Sequence, residues 1–181
     1  QNNTPIINPG RFNRIITLET VDSPLLPMLS VRYILALADI ERPFLKKVFQ
    51  EGETRVYEYA RELPRAYLVS DILTINSKQE TINKLFNASF DPILAAVVED
   101  SVNEQNFSGF VKGTSRIIFY AAEKIIVETE APGESYLVVS ESYTPDWNVF
   151  IDGALRTIFR TNYNFMGVLV PKGAHTVEFS L

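Results

Sequence analysis

The sequence contains no cysteine, a single tryptophan, a single histidine and two methionines. The lack of cysteine excludes disulfide bonds, thiolate metal sites and thiol nucleophiles. One histidine alone provides no second imidazole for a histidine-rich metal site. We expect no metal site and no cofactor in this chain, and no residue set in the sequence has the pattern of an enzyme active site.

Positive charge is also scarce, since 17 Lys and Arg face 22 Asp and Glu and the net charge is −5. The basic residues are scattered, so no basic field gathers phosphate groups, and we expect no nucleic acid or anionic membrane surface as a partner.

The longest apolar runs, such as PLLPML and YILALADI, are far shorter than the roughly 18 residues of a membrane-spanning helix. The first residues lack the pattern of a signal peptide. We expect a soluble piece, excised if its parent protein is exported or membrane-bound.

The residues that are abundant favour strands. The chain is 46% hydrophobic, 22% charged and 12% aromatic, and it is rich in Val, Ile and Thr. Its 181 residues suffice for one well-buried core. We predict a mostly β protein in which residues 1–24 are a loosely ordered lead-in and residues 25–181 form a single β-sandwich domain. That domain has an α/β part (25–100) and an all-β part (115–181).

The α/β part is predicted to begin with one short apolar turn at 25–29. A strand at 31–37, buried on both faces, follows, and then a hairpin at 44–59 and a strand at 65–69. Ser77 and Glu80 have the spacing of a capping box, which predicts the one short helix, near 77–87. A strand at 94–98 and a flexible loop at 99–108 complete this part.

The all-β part shows strand patterns at 116–121, 124–130, 136–140, 147–151, 155–160, 166–170 and 174–181. Asp152 and Gly153 predict a type I′ turn, in which both central residues have positive φ. The last two strands are predicted to form a hairpin around residues 171–173. This spacing indicates a β-sandwich with Greek-key, jelly-roll-like or meander connections.

Several ordered blocks carry a family resemblance: Pro-x-Trp at 145–147, Asp-Gly at 152–153, RTNY at 160–163 and VPKGAHTVEF at 170–179. Earlier blocks are LSVRY at 29–33, VYE at 56–58 and LPRAY at 63–67. Over roughly residues 24–181 the chain resembles the C-terminal extracytoplasmic domain of YfhO-type bacterial membrane proteins. The family usually has Gly where this chain has Asp146; if that position needs a positive φ, Asp is among the few other residues that tolerate one.

The resemblance implies a place and a role. YfhO-type proteins are polytopic and related to membrane glycosyltransferases that use polyprenyl-phosphate sugars. By resemblance, this chain is an excised, non-catalytic domain on the periplasmic or extracellular face of a bacterial inner membrane. It would serve cell-envelope glycan or glycolipid assembly, with a glycan or glycolipid and the membrane domain of the parent protein as partners. The catalytic segments of the parent are absent, so no catalytic residue is transferred.

Glycan contact is the sharpest hypothesis from the residues. Aromatic rings could stack on a sugar, and neighbouring polar groups could bind its hydroxyls; the candidate residues are Tyr143, Asp146, Trp147, Arg160, Asn162 and Tyr163. The alternative for Trp147 is burial, because it alternates with Val149 and Ile151 along one strand face. The corresponding alternative function is a structural or protein-interaction domain that binds no sugar.

Two further features have a structural interpretation that we prefer. His175 shares strand parity with Val177 and Phe179, and no His-plus-carboxylate spacing surrounds it, so we expect a hydrogen-bonded structural histidine. The pairs Glu128/Glu130 and Glu99/Asp100 could supply acid and base for glycoside cleavage. Solvated surface is the preferred interpretation of both pairs.

Overall fold

The computed structural model describes residues 20–99 and 113–181, and it confirms a mostly β protein. The helices and strands, in chain order, are α1 (Leu25–Met28), β1 (Tyr33–Ala36), β2 (Leu45–Glu51), β3 (Thr54–Tyr59), β4 (Ala66–Val69), β5 (Asp71–Thr74), α2 (Lys78–Leu85), β6 (Ala95–Val98), β7 (Thr114–Ala121), β8 (Lys124–Ala131), β9 (Ser135–Val139), β10 (Asn148–Ile151), β11 (Ala154–Arg156), β12 (Phe159–Thr161), β13 (Phe165–Val170) and β14 (Gly173–Ser180). Within these ranges, no helix has the length and hydrophobicity needed to cross a membrane.

Two sheets face each other as a sandwich. One has five strands in the order β11-β10-β14-β8-β7, and the other has six in the order β4-β9-β13-β12-β6-β5. Alternate side chains of both sheets meet between them, as the period of two along a strand requires. This core includes Ile125, Leu137, Val149, Met166 and Phe179, all nearly free of solvent contact. The predicted β-sandwich is thus present.

The six-stranded sheet buries its second face as well. Tyr67, Val97 and Tyr136 lie in a second core with Leu85 of α2. The Ser77 hydroxyl accepts a hydrogen bond from the Glu80 amide at 3.4 Å, as the capping motif predicted. The chain runs from β5 through α2 into β6, and β5 and β6 pair in parallel, which requires such a crossover.

A separate three-stranded sheet, in the order β1-β3-β2, packs over α1 and contains the predicted hairpin at 44–59. Its inner face buries Leu26, Ile34, Phe44, Tyr57 and Tyr59. The prediction that β1 is buried on both faces is wrong. Since β1 is an edge strand on a sheet with one covered face, its outward side chains are exposed.

Two sequence predictions failed where strand pairing joins distant segments. The single strand predicted at 155–160 is two short strands, β11 and β12, which belong to different sheets. The hairpin predicted around 171–173 is a crossing between sheets, because β13 pairs with β9 and β12 whereas β14 pairs with β8 and β10. The four-residue α1, where a short turn was expected, is a second helix, and β5 was not predicted.

Two predicted segments lie largely outside the described residues: positions 1–19 of the lead-in and positions 100–108 of the loop, which include Asp100. The all-β part and the α/β part share the six-stranded sheet. Its strands β4, β5 and β6 come from before residue 99, and its strands β9, β12 and β13 come from after residue 113.

Two glycines serve different needs. Gly153 follows Asp152 in the turn between β10 and β11, with φ of 80° and 50°, which confirms the predicted type I′ conformation. Gly167 lies in β13 beneath the Tyr136 ring, and a Cβ built there would come within 2.3 Å of the Tyr136 hydroxyl. The missing side chain makes room for the buried hydrogen bond of 2.7 Å between Tyr136 and Thr161.

Candidate functional site

Three of the predicted site residues lie near the turn between β12 and β13: Tyr163 is exposed, whereas Tyr143 and Arg160 are half-buried and Tyr143 packs partly against the sandwich core. The Tyr143 amide donates to the Asn164 carbonyl at 2.9 Å, which joins the segment after β9 to that turn. The Arg160 guanidinium lies over the Tyr143 ring, 5.2 Å from its centroid. Tyr163 occupies the turn with a positive φ of 79° and is 42% exposed. The structure therefore brings Tyr143 and Arg160 into stacking contact beside a turn that exposes Tyr163.

Asn162 is buried and anchors this turn. Its side-chain oxygen Oδ1 accepts a hydrogen bond from the Val97 backbone N–H at 2.8 Å, and the Asn162 backbone N–H donates to the Val97 carbonyl at 2.7 Å. Its side chain also neighbours the Tyr67 phenol. Burial raises the pKa of that phenol, and the Asn162 amide lowers the pKa in part. Asn162 therefore positions the turn from below, where a ligand cannot reach it.

Trp147 and Asp146 lie in different surroundings. Trp147 is 6% exposed and belongs to the core between the two sheets, as its alternation with Val149 and Ile151 indicated. Asp146 is exposed, and its carbonyl accepts from the Asn148 side-chain amide at 3.3 Å. Its φ is not positive, so this position does not require a residue that tolerates the left-handed region.

Glu99 joins this cluster and was not predicted to do so. Its carboxylate lies 3.7 Å from the Arg160 guanidinium, and its amide donates to the Arg160 carbonyl at 3.3 Å. The contact arises because β6 pairs with β12 across more than 60 positions of sequence. No local pattern could have shown it.

A second cluster of the same composition lies at the start of the same segment. The Arg65 guanidinium lies 5.3 Å from the Tyr120 ring centroid, and the Tyr120 hydroxyl donates to the Glu141 carboxylate at 2.5 Å. The pKa of the Tyr120 phenol is raised, mainly by that hydrogen bond and to a smaller extent by burial. The two clusters are therefore alike, since each has one Tyr, one Arg and one Glu. One contains Tyr143, Arg160 and Glu99, and the other contains Tyr120, Arg65 and Glu141. Tyr143 and Glu141 connect both clusters to the single segment 141–143.

His175 has the carboxylate partner that the sequence did not reveal. Its Nδ1 lies 2.6 Å from Oδ2 of Asp152, and its Nε2 lies 3.2 Å from the Lys172 carbonyl. The hydrogen bond to Asp152 raises the pKa of His175, and the same bond lowers the pKa of Asp152. Both ring nitrogens face acceptors, so the charged imidazolium is favoured and neither nitrogen is free to bind a metal. The predicted hydrogen-bonded structural histidine is confirmed.

The candidate acidic pair Glu128/Glu130 borders a shallow groove of about 530 Å³ on the outer face of the five-stranded sheet. Glu128 is ion-paired to Arg116 at 2.8 Å, and both side chains are well exposed to solvent. This geometry agrees with a solvated surface. Across residues 20–99 and 113–181, no three His, Asp or Glu side chains are grouped so that they could hold a metal ion.

Comparison with protein-family models, with curated proteins and with solved structures finds no match to this chain.

Proposed function

We propose that this chain is a non-catalytic module that holds a glycan, as part of a membrane glycosyltransferase-like protein of the bacterial cell envelope. The observation that carries glycan contact is the pair of Tyr-Arg-Glu clusters joined through residues 141–143. Tyr120 of one cluster is 47% exposed, and Tyr163, in the turn beside the other cluster, is 42% exposed, so aromatic surface is available near charged groups. Sugar rings can stack on such faces, while guanidinium and carboxylate groups bind hydroxyls.

The envelope setting is supported by the sequence blocks that resemble YfhO-type proteins, from LSVRY at 29–33 to VPKGAHTVEF at 170–179. In this proposal the domain faces the periplasm or the cell exterior, with the membrane domain of the parent protein as its neighbour. It orients an acceptor glycan or glycolipid, and the chemistry takes place elsewhere in the parent protein.

A titration of the labelled chain with cell-envelope oligosaccharides, followed by NMR, tests glycan contact. We expect shifts at Tyr120, Tyr143 and Tyr163. Tyr120→Ala or Tyr163→Ala should weaken binding about tenfold, the equivalent of about 1.4 kcal/mol. Tyr33→Ala is the matched control, because Tyr33 is 50% exposed on the three-stranded sheet. Absence of any shift at millimolar oligosaccharide would contradict glycan binding.

A second candidate function is a protein-interaction domain without sugar binding. It is favoured by large exposed apolar side chains on the three-stranded sheet, namely Leu35 (71%) and Phe49 (52%), and by Leu37 (74%) in the bend just after β1. This candidate predicts a silent oligosaccharide titration together with association that depends on those three side chains.

A further inference from the structure

Strand β1 has an open edge within the described part of the chain. It pairs on one side with β3, in a register that sets Ile34 opposite Tyr57. The Tyr59 amide donates to the Arg32 carbonyl at 2.8 Å. Because hydrogen-bonded positions alternate in antiparallel pairs, residues 32, 34 and 36 bond to β3. The backbone N–H and C=O groups of Tyr33 and Leu35 therefore point away from the sheet.

Although β1 is short, with four residues, its open edge shows no charged side chain, proline, bulge or hydrogen-bonded cover among residues 20–99 and 113–181, and these are features that protect edge strands. The other edge strands have at least one of them. Strand β2 carries Lys46 and Lys47 and has a shift in its pairing register before Phe49. Strand β4 is covered by β7, since the Ser115 hydroxyl donates to the Ala66 carbonyl. Strands β5, β7 and β11 each contain a charged residue, namely Asp71, Arg116 and Arg156. In β1 the sequence is Tyr-Ile-Leu-Ala, followed by Leu37.

We propose that β1 pairs antiparallel with β1 of a second copy of this chain, with Leu35 on the two-fold axis. In that register, Leu35 faces Leu35 of the second copy and Tyr33 faces Leu37. The open N–H and C=O groups of Leu35 then meet those of Leu35 in the second copy. Those of Tyr33 meet the backbone of Leu37, which lies in the bend just after β1 and whose carbonyl also accepts from the Arg55 guanidinium at 2.9 Å. The facing side chains are leucines and a tyrosine. The two three-stranded sheets become one sheet of order β2-β3-β1-β1-β3-β2. This inference is independent of glycan binding.

The outward side chains fit this arrangement. Leu35 lies opposite Val56, and Val56 lies opposite Phe49, so an apolar row crosses the sheet beside the open edge. Together with Tyr33 and Leu37, this row exposes on the order of 400 Å² per copy, in the range of functional patches. Pairing joins the two rows and shields the leucines at the seam. The total area stays below about 1,200 Å², which predicts a weak, reversible dimer.

Sedimentation velocity of the whole chain, from about 10 µM to about 1 mM, tests this proposal. The wild type should shift with concentration from 20.5 kDa toward twice that mass. Leu35→Lys places like charges opposite each other on the two-fold axis, so the dimer should be lost or at least about tenfold weaker. Leu155→Lys is the matched control, since Leu155 is a 62% exposed leucine on the edge strand β11, and it should dimerise like the wild type.

Hydrogen exchange locates the contact. The Tyr33 and Leu35 amides should exchange more slowly at the concentration that gives dimer, and no such slowing should occur in Leu35→Lys. Unchanged melting temperatures of both variants show that folding is intact. Two results overturn the proposal. One is a wild type that stays monomeric at every concentration, even if its β1 amides exchange slowly. The other is a dimer that persists in Leu35→Lys.

Discussion

Nδ1 of His175 lies 2.6 Å from Oδ2 of Asp152, and the two residues close the turn between β10 and β11 onto the first residues of β14. The other carboxylate oxygen of Asp152 accepts from the Thr176 amide at 2.9 Å, and the Asp152 amide donates to the Thr176 carbonyl at 2.9 Å. Asp152 also occupies the positive-φ position of its turn. One residue therefore sets the turn and fastens it to the neighbouring strand.

This pair predicts a stability maximum in mildly acidic solution. The pKa of His175 is raised above 6.5, so its contribution is complete below about pH 6.5 and is lost as pH rises through the folded-state pKa. The pKa of Asp152 is lowered below 3.8, so its contribution is present above about pH 3.8 and is lost as pH falls through the folded-state pKa. Urea unfolding across the pH range measures both arms. His175→Gln should remove the stability loss that occurs as pH rises through the folded-state pKa of His175, and an unchanged loss in that variant contradicts the prediction.

Gly167→Ala should destabilise the sandwich by about 3 kcal/mol, since the added methyl group would press on Tyr136 and Thr161 inside a closed core. Chemical denaturation gives the free energy of unfolding. In a Tyr136→Phe background the same substitution should cost less, because the nearest atom, the hydroxyl oxygen, is gone. Equal costs in the two backgrounds would show that the crowding lies elsewhere.

Trp147→Ala should cost about 3–5 kcal/mol in the free energy of unfolding, because it leaves a large cavity between the two sheets. Tyr163→Ala, which removes an exposed ring, should stay within about 0.5 kcal/mol of the wild type in the free energy of unfolding.

Because Trp147 is the single tryptophan, its fluorescence is a direct probe of its burial. Its fluorescence should be shielded from acrylamide in the folded chain, and strong quenching would contradict its burial.

Ser77→Ala should cost about 0.5–1 kcal/mol, since the hydroxyl caps α2 through a rather long bond of 3.4 Å to the Glu80 amide. Ser77→Asp should retain the stability of the wild type, because a carboxylate accepts the same hydrogen bond and favours the positive end of the helix. Thermal unfolding of the three proteins, compared at one pH, measures this order. A less stable Asp variant than Ala variant contradicts the role of the cap.

Features encoded within a few residues could be predicted from the sequence. The Ser77 cap, the Asp152-Gly153 turn and the burial of Trp147 each follow from local spacing or strand parity. Contacts between distant segments could not. Asp152 meets His175 only because β10 pairs with β14, and Glu99 meets Arg160 only because β6 pairs with β12.

In the candidate site, too, the sequence predicted local features but not contacts between distant segments. The predicted loop residues Tyr143 and Tyr163 lie at the surface or partly so, whereas the neighbouring Asn162 is buried. A loop pattern indicates where the chain turns, but it does not indicate which turn residue faces inward. The choice depends on the Val97 backbone, which lies 65 positions earlier and fastens Asn162 from beneath.

The shared six-stranded sheet has a consequence for synthesis. Strand β4 finds its partner β9 about 70 positions later, and β6 finds β12 more than 60 positions later. As the chain leaves the ribosome, its first half therefore carries strands whose partners have not yet been made. Such long-range pairing is slow, and unpaired strands invite aggregation. We therefore expect the six-stranded sheet to form only once the last third of the chain has been made, with residues 66–98 the segment most prone to aggregation until then.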